Sequence, residues 1–271
     1  ELPEARYILG LALLKSGDPV GAETELRKAR SLGHPDEQVV PPLAQAMLLQ
    51  GKAKNVAEDF SAVQLTTPVA KAEFQTALAT AHAVLGSSER SRQALAAALE
   101  ADPAYAPALL IQAGELARER KFDEAMALVD GILAKDAKNA EAWKFKGDLL
   151  QAGQNKPDEA MQAYRKAIEA NPKYALAHSA ILTLLLKQGD LDNAGKQMAE
   201  LKALAPNSPQ TVYFETLLAF QKKDIKLARE LSQQMMKVAP NNLQALALAG
   251  SIELQSNSLV QAENYLAKAL Q

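Results

Sequence analysis

The sequence predicts an all-α protein, a solenoid of about eight helical hairpins in a single array over residues 1–271. Two periodic series carry this prediction, a proline and an alanine that each return every 34 residues. The series are Pro172, Pro206, Pro240 and Ala194, Ala228, Ala262. A fixed period of this length is typical of stacked repeats, in which each unit packs only on its neighbours.

Residues 175–208 illustrate one unit. Their first helix ends in a largely apolar run, residues 181–186, and Gly189 then favours the left-handed conformation that ends a helix. Ala194 and Met198 lie four residues apart, on one face of a second helix. The unit is therefore predicted to be a helical hairpin.

The same pattern divides the whole chain. The predicted repeats are residues 3–36, 37–71, 72–105, 106–139, 140–174, 175–208, 209–242 and 243–271. Two repeats carry one extra residue, which we expect in turns near residues 69–71 and 153–158. A glycine inside a helix lowers stability by roughly 0.5 to 1 kcal/mol relative to alanine. We therefore expect close helix packing to explain the glycines inside first helices, which are Gly10, Gly147 and Gly250.

A proline pair interrupts the second repeat. Proline inside a helix removes a hydrogen bond and costs roughly 3 kcal/mol, whereas in the first turn it costs little. Pro41 and Pro42 therefore predict a first helix that starts late, near Val40. A functional kink is the alternative.

One unit carries a family pattern of packing residues. These residues are Trp143, Gly147, Ala160, Tyr164, Ala167 and Pro172. The pattern resembles the tetratricopeptide repeat and departs from it at Lys146 and Leu150. This resemblance implies a right-handed superhelix whose concave groove is lined by the first helices.

Composition excludes several classes of function. Lys plus Arg number 30 against 32 Asp plus Glu, a net charge of -2, so we expect no nucleic-acid partner and no polybasic membrane anchor. No apolar run reaches the length of a membrane helix, so this segment is not expected to insert in a membrane. The absence of cysteine removes disulfides and thiolate sites. We expect no cofactor and no metal, and stability that is indifferent to chelators and reducing agents.

The chain offers no convergent catalytic set, so we predict that it is not an enzyme. His82 and His178 fall within predicted first helices and are interpreted as packing residues. His34 precedes Pro35 in a predicted turn and is expected to be solvated.

The resemblance places candidate ligand-binding residues in the groove. They are Tyr213, Leu217, Phe220, Ser179, Thr183, Tyr7 and Leu11. Tyr213, Leu217 and Phe220 share one helical face, which either faces the groove or packs between repeats. An uncharged apolar stripe favours a peptide or helix over a phosphate or sugar acid.

One well-known partner class of the family is disfavoured. Co-chaperone members hold a terminal carboxylate with lysine, asparagine and arginine from three successive repeats. The corresponding positions here hold residues such as Tyr7, Leu11, Pro42, Glu73 and Ala77. We therefore expect no chaperone carboxylate clamp.

The leading functional prediction is a non-enzymatic scaffold that binds a protein or peptide. The alanine-rich units are similar to arrays of bacterial envelope proteins, including the lipoprotein of the exosortase (PEP-CTERM) and exopolysaccharide system, which implies a periplasmic or outer-membrane-associated setting. The alternative is a structural spacer or assembly module of a larger enzyme or secretion machine.

The last repeat also suggests that the chain is part of a longer array. Its final helix carries an apolar stripe that no capping helix covers. The stripe consists of Leu259, Ala262, Leu266 and Ala269.

Overall fold

A computed structural model describes residues 2–60 and 62–270, and within them the chain forms sixteen α-helices and no strand. The all-α prediction is confirmed. The helices are α1 (Pro3–Ser16), α2 (Pro19–Ser31), α3 (Asp36–Leu49), α4 (Ala53–Asp59), α5 (Pro68–Val84), α6 (Ser88–Ala101), α7 (Ala106–Arg118), α8 (Phe122–Lys135), α9 (Ala140–Gln154), α10 (Pro157–Ala170), α11 (Ala175–Gln188), α12 (Leu191–Leu204), α13 (Pro209–Gln221), α14 (Ile225–Val238), α15 (Leu243–Gln255) and α16 (Leu259–Ala269). The chain divides into two compact units, Glu1–Ile132 and Leu133–Gln271.

Several second helices begin with the same local device. The residue that caps the C-terminus of the preceding first helix takes the left-handed conformation, as Gly17 does with φ 85° and Gly189 with φ 76°. The aspartate that follows accepts the backbone N–H three residues on: Asp18 from Gly21 at 2.9 Å and Asp190 from Asn193 at 3.2 Å. These caps satisfy amides that the helix itself leaves without partners.

In the first unit, α3 contradicts the predicted late start. The helix begins at Asp36, with the carbonyl of Pro35 accepting the amide of Val39 at 3.1 Å, and it continues through Pro41 and Pro42. Two helical hydrogen bonds are thereby lost, because neither proline has an N–H. The apolar face that α3 buries offsets this cost, since Val39 and Val40 are both fully buried.

The connection from α4 to α5 also differs from the sequence-based expectation. The helix α4 has seven residues, and residues 60–67 connect it to α5. Residues 69–71, where we expected an inserted turn, lie inside α5. Phe60 nevertheless joins the core of this unit, where its ring meets that of Phe74 edge to face at 5.9 Å.

A carboxylate from α3 holds the end of this connection. Glu37 accepts hydrogen bonds from the backbone N–H of Thr66 at 2.6 Å and of Thr67 at 3.3 Å. The two threonine hydroxyls donate to the same carboxylate, at 2.8 and 2.7 Å. These hydrogen bonds, that from the Thr66 backbone foremost, lower the pKa of Glu37 to about 2. Glu37 therefore fixes the entry to α5, whose N-cap residue is Thr67.

Glu37 predicts a pH dependence of stability. A lowered native pKa means that the ionised carboxylate stabilises the fold above its ordinary pKa of 4.5, and that this contribution is lost as the pH falls towards 2. We expect the wild-type chain to melt at a higher temperature than Glu37→Gln above about pH 5. The difference should shrink between about pH 4.5 and pH 2. Equal melting temperatures at pH 7 would show that the hydrogen bonds from Thr66 and Thr67 to Glu37 contribute nothing to stability.

In the second unit, α9 packs on α10, α11 on α12, α13 on α14, and α15 on α16. Small residues permit these contacts, as predicted. A Cβ added to Gly147 would lie 2.3 Å from Cε1 of Tyr164, and one added to Gly250 would lie 2.6 Å from Cγ of Leu266. In the first unit, Gly10 has the same relation to Leu26, also at 2.6 Å.

The final helix is more covered than the sequence suggested. Ala262 is buried, and Leu266 lies against Gly250 of its own hairpin. Leu259 is exposed, as expected, while Ala269 is partly buried. Much of the apolar stripe of α16 therefore belongs to its own hairpin, because a second helix turns one side towards its first helix.

The alanine column gives a direct test of this packing. Ala194 and Ala228 are fully buried, so leucine at either position should overpack the hairpin and cost roughly 1 to 3 kcal/mol of unfolding free energy. Ala199→Leu is the matched control for Ala194→Leu, since Ala199 lies on the exposed side of α12. Urea unfolding measures the change. A wild-type value for both core variants would refute the packing assigned to this column.

Candidate functional site

The first helices α9, α11 and α13 of the second unit line one open cleft of about 240 Å³. It contains two of the predicted binding residues, Ser179 and Thr183, together with Lys144, Asp148 and Gln151 of α9. Leu176, Ala180, Gln210 and the ring of Tyr164 complete the lining. The structure therefore brings Ser179 and Thr183 together on a face made by first helices.

A hydrogen-bonded chain crosses this cleft. Asp148 accepts hydrogen bonds from Nζ of Lys144 at 2.7 Å and from the hydroxyl of Tyr164 at 3.0 Å. Burial, together with the carboxylate of Asp148, raises the pKa of Tyr164, so the phenol stays protonated and donates. The charges of Lys144 and Asp148 compensate each other, and the cleft carries no net charge from this pair.

Ser179 and Thr183 differ in accessibility. Ser179 is 4% exposed, and its Oγ has no hydrogen-bond partner among the described residues. Thr183 is exposed, and its hydroxyl donates to the carbonyl of Ser179 at 2.8 Å. Ser179 was predicted to flank a binding surface. Its burial instead makes it a packing residue whose hydroxyl has no hydrogen-bond partner among the described residues.

The stripe on α13 is neither fully buried nor fully exposed. Tyr213, Leu217 and Phe220 are partly buried and pack against the apolar core formed by α13, α14 and α15. The Tyr213 ring meets that of Phe214 edge to face at 5.7 Å, and burial raises the pKa of the Tyr213 hydroxyl. Each side chain therefore contributes to packing and still presents apolar surface.

A second pocket, with a volume of about 340 Å³, lies beside Tyr213. It is lined by Pro209, Gln210, Tyr213, Phe214, Met235, Ala239, Asn242, Gln244 and Ala245. None of these residues is ionisable except Tyr213. The sequence did not predict this pocket, although Gln210 and Gln244 belong to first helices, which the resemblance places along the groove.

Tyr7 and Leu11 belong to the first unit. Tyr7 is partly buried and stacks on His34, with ring centroids 4.5 Å apart and planes inclined by 23°. His34 is 7% exposed, its Nε2 lies 2.9 Å from the amide oxygen of Gln38 and its Nδ1 lies 3.4 Å from Glu4, so the prediction of a solvated histidine was wrong. Leu11 is partly buried. Tyr7 thus has a packing role.

His178 has a structural explanation. It is 4% exposed, its Nε2 lies 3.0 Å from the carbonyl of Pro172, and its Nδ1 lies 2.6 Å from the side-chain amide of Gln197. An amide N–H that donates to Nδ1 leaves the proton on Nε2, where it can donate to the carbonyl. Over residues 2–60 and 62–270, no group of three or more acidic or histidine side chains could hold a metal ion.

A third cleft, of about 690 Å³, lies between the second helices α10 and α12. Its apolar base includes Ile181 and Leu185, and its rim carries both signs of charge, as in Arg165 and Glu169. The sequence did not predict this cleft, because its residues do not share a family motif.

Family models described as tetratricopeptide repeat match residues 76–140, 112–175 and 151–213. Together these matches span residues 76–213, about half of the chain. Among solved structures, a tetratricopeptide repeat protein from Parabacteroides merdae aligns with a TM-score of 0.58 and 18% identity, over 98% of this chain and 91% of its own. The solenoid fold predicted from the sequence is therefore shared with known proteins.

Two curated relatives are much longer than this chain. The cellulose synthase operon protein C of Pseudomonas fluorescens is 25% identical over 186 residues, which are 53% of this chain and 14% of that protein. The probable UDP-N-acetylglucosamine–peptide N-acetylglucosaminyltransferase SPINDLY of Arabidopsis thaliana is 41% identical over 75 residues, 27% of this chain and 8% of that protein.

No helix within the described part of the chain combines the length and apolar character that crossing a membrane requires.

Proposed function

The chain belongs to the tetratricopeptide-repeat family, whose members are scaffolds for protein interaction, and on that premise we propose that it binds a peptide or helix on the first-helix face of its second unit. This role needs neither catalysis nor a cofactor. The observation that carries the proposal is the partly exposed stripe of Tyr213, Leu217 and Phe220 beside an uncharged pocket.

The chemistry of this face supports a peptide ligand. Aromatic side chains supply a large apolar contact at low entropic cost, and such residues dominate binding energy in many interfaces. The exposed hydroxyl of Thr183 and the carboxamides of Gln210 and Gln244 offer uncharged hydrogen-bonding groups. Lys144 is paired with Asp148, so the neighbouring cleft supplies no free cation for a phosphate or a terminal carboxylate. A nucleic-acid partner is not favoured by a chain with a net charge of -2.

The proposed setting is the bacterial envelope, with a role in export or in exopolysaccharide assembly. The similarity to a cellulose synthase operon protein supports an exopolysaccharide role, and it covers 53% of this chain. The alanine-rich units resemble those of the exosortase-system lipoprotein, which would act in the same compartment. A periplasmic or outer-membrane-associated location belongs to the same proposal.

The alternative is a spacer or assembly module within a larger enzyme or secretion machine. The similarity to SPINDLY favours it, because that relative is named as a glycosyltransferase and only 8% of its length is matched. In this case the ends of the array, and not its first-helix face, would make the functional contacts.

Selection of peptides from a random library on the immobilised chain tests the proposal. Peptides that bind should lose at least about tenfold in affinity for the double variant Tyr213→Ala/Phe220→Ala, since truncated anchor residues typically cost more than 1 kcal/mol. Leu227→Ala/Val238→Ala is the matched control, because it removes apolar surface that α14 exposes on the same hairpin.

All affinities are measured well below the onset of thermal unfolding, since Tyr213 and Phe220 also pack on the core. Selected peptides that bind the double variant as tightly as the wild type would exclude this face as the binding site. The spacer alternative would then be favoured.

A further inference from the structure

We infer that the pocket beside Tyr213 takes one uncharged apolar side chain of the bound peptide, of the size of leucine or phenylalanine, while the carboxamides at its rim bond to the peptide groups on either side. This inference rests on the proposed function and specifies the chemistry of the ligand.

The inner wall of the pocket is apolar and firmly packed. Phe214 is 7% exposed, Met235 is fully buried and Ala245 is 1% exposed. Tyr213 and Ala239 also line the pocket. The volume of about 340 Å³ is at the small end of the range for ligand pockets, which suits a single side chain better than a whole cofactor.

The rim is polar but carries no charge. Gln210, Asn242 and Gln244 are exposed residues around the opening. The Asn242 carboxamide oxygen already accepts the backbone N–H of Ala245 at 3.0 Å, so its NH₂ group remains to donate. Carboxamides match both the N–H and the C=O of a peptide group.

The uncharged lining of the pocket disfavours binding of charged side chains. No Asp, Glu, Lys, Arg or His lines the pocket, so an ammonium or carboxylate that entered it would lose water without gaining a counter-ion. The cleft formed by α9, α11 and α13 differs in this respect, because it contains Lys144 and Asp148. The two pockets share Gln210, so a peptide on the first-helix face can reach both.

Small probes test this selectivity without a known partner. N-acetyl-leucinamide carries an apolar side chain between two amide groups, and N-acetyl-lysinamide and N-acetyl-glutamic acid α-amide are its charged counterparts. With ¹³C-methyl-labelled methionine, the Met235 signal reports this pocket and the Met161 signal reports the cleft between α10 and α12. The leucine probe should shift Met235 saturably and leave Met161 unchanged. The charged probes should bind at least about tenfold more weakly.

A pair of variants localises the effect. Ala239→Phe places a ring in the pocket, and Ala205→Phe makes the same change at the equivalent residue after α12, with nearly the same backbone conformation (φ -140° and -145°). Ala239→Phe should abolish the Met235 shift and Ala205→Phe should retain it. If Ala239→Phe does not fold, the comparison of probes on the wild-type chain decides the matter.

Three results would overturn the inference: no shift of Met235, equal shifts with the charged probes, or a shift that survives in folded Ala239→Phe. These failures are distinct from failure of the proposed function. If the affinity of selected peptides still depends on Tyr213 and Phe220, the proposed binding face stands. If their affinity depends on neither residue, binding on that face is refuted, whatever the probes show.

Discussion

Tyr164→Ala should lower the free energy of unfolding by about 3 to 5 kcal/mol, the range measured when large buried aromatic side chains are truncated. Tyr164 is 1% exposed, its ring lies against Gly147, and its hydroxyl donates to Asp148 at 3.0 Å. Urea unfolding followed by circular dichroism measures the loss.

Tyr164→Phe is the control for this substitution. It keeps the ring in place and removes only one hydrogen bond, which contributes about 1 kcal/mol in typical proteins. A Tyr164→Ala variant within about 1 kcal/mol of the wild type would mean that the hairpin of α9 and α10 is not held by this ring.

Gly147→Leu should lower the free energy of unfolding by about 3 kcal/mol, at the upper end of the usual range for overpacking. Even the first atom of the new side chain would lie 2.3 Å from the Tyr164 ring, so the ring or the helix must move. Gly131→Leu is the matched control, because a Cβ at Gly131 of α8 meets nothing within 4 Å. That control should be neutral or stabilising, since leucine favours a helix more than glycine does.

A double-mutant cycle tests the contact itself. Gly147→Leu should cost less in the Tyr164→Ala background, because the vacated space can accept the leucine. If the losses of unfolding free energy caused by the two substitutions are additive, the two positions do not interact.

The sequence predicted the hairpins because their determinants are local. Helix-breaking prolines such as Pro206, left-handed glycines such as Gly189 and capping aspartates such as Asp190 act within a few residues of their position. The sequence also predicted a packing reason for Gly147, and the structure identifies its partner as the ring of Tyr164. The unit Trp143–Pro172 carries most of the family motif and lies within the matched region.

Two of the wrong predictions share one physical cause, which is burial by residues distant in sequence. His34 looked solvated beside Pro35, but Tyr7 stacks on it from α1. The late helix start expected near Val40 assumed that the free-energy cost of Pro41 and Pro42 decides, whereas burial of Val39 and Val40 outweighs that cost. Tertiary packing of this kind overrides local propensity and leaves no local signal.

The candidate site was predictable only in part. The resemblance placed Ser179 and Thr183 together in the groove, but the burial of Ser179 depends on how neighbouring helices pack. The pocket beside Tyr213 is formed by three helices at once and includes Met235 from a second helix. A sequence pattern within single helices does not predict a pocket of this kind.

Paramagnetic labelling of a bound peptide tests the central claim most directly. The chain has no cysteine, so a single introduced cysteine takes the spin label without side reactions. Thr183→Cys places the label on the exposed first-helix face, and Gln233→Cys places it on the exposed side of α14. A peptide selected on the wild-type chain should lose NMR signal from the label at residue 183 and keep its signal with the label at residue 233. The opposite pattern, or equal broadening from both labels, would contradict binding on the first-helix face.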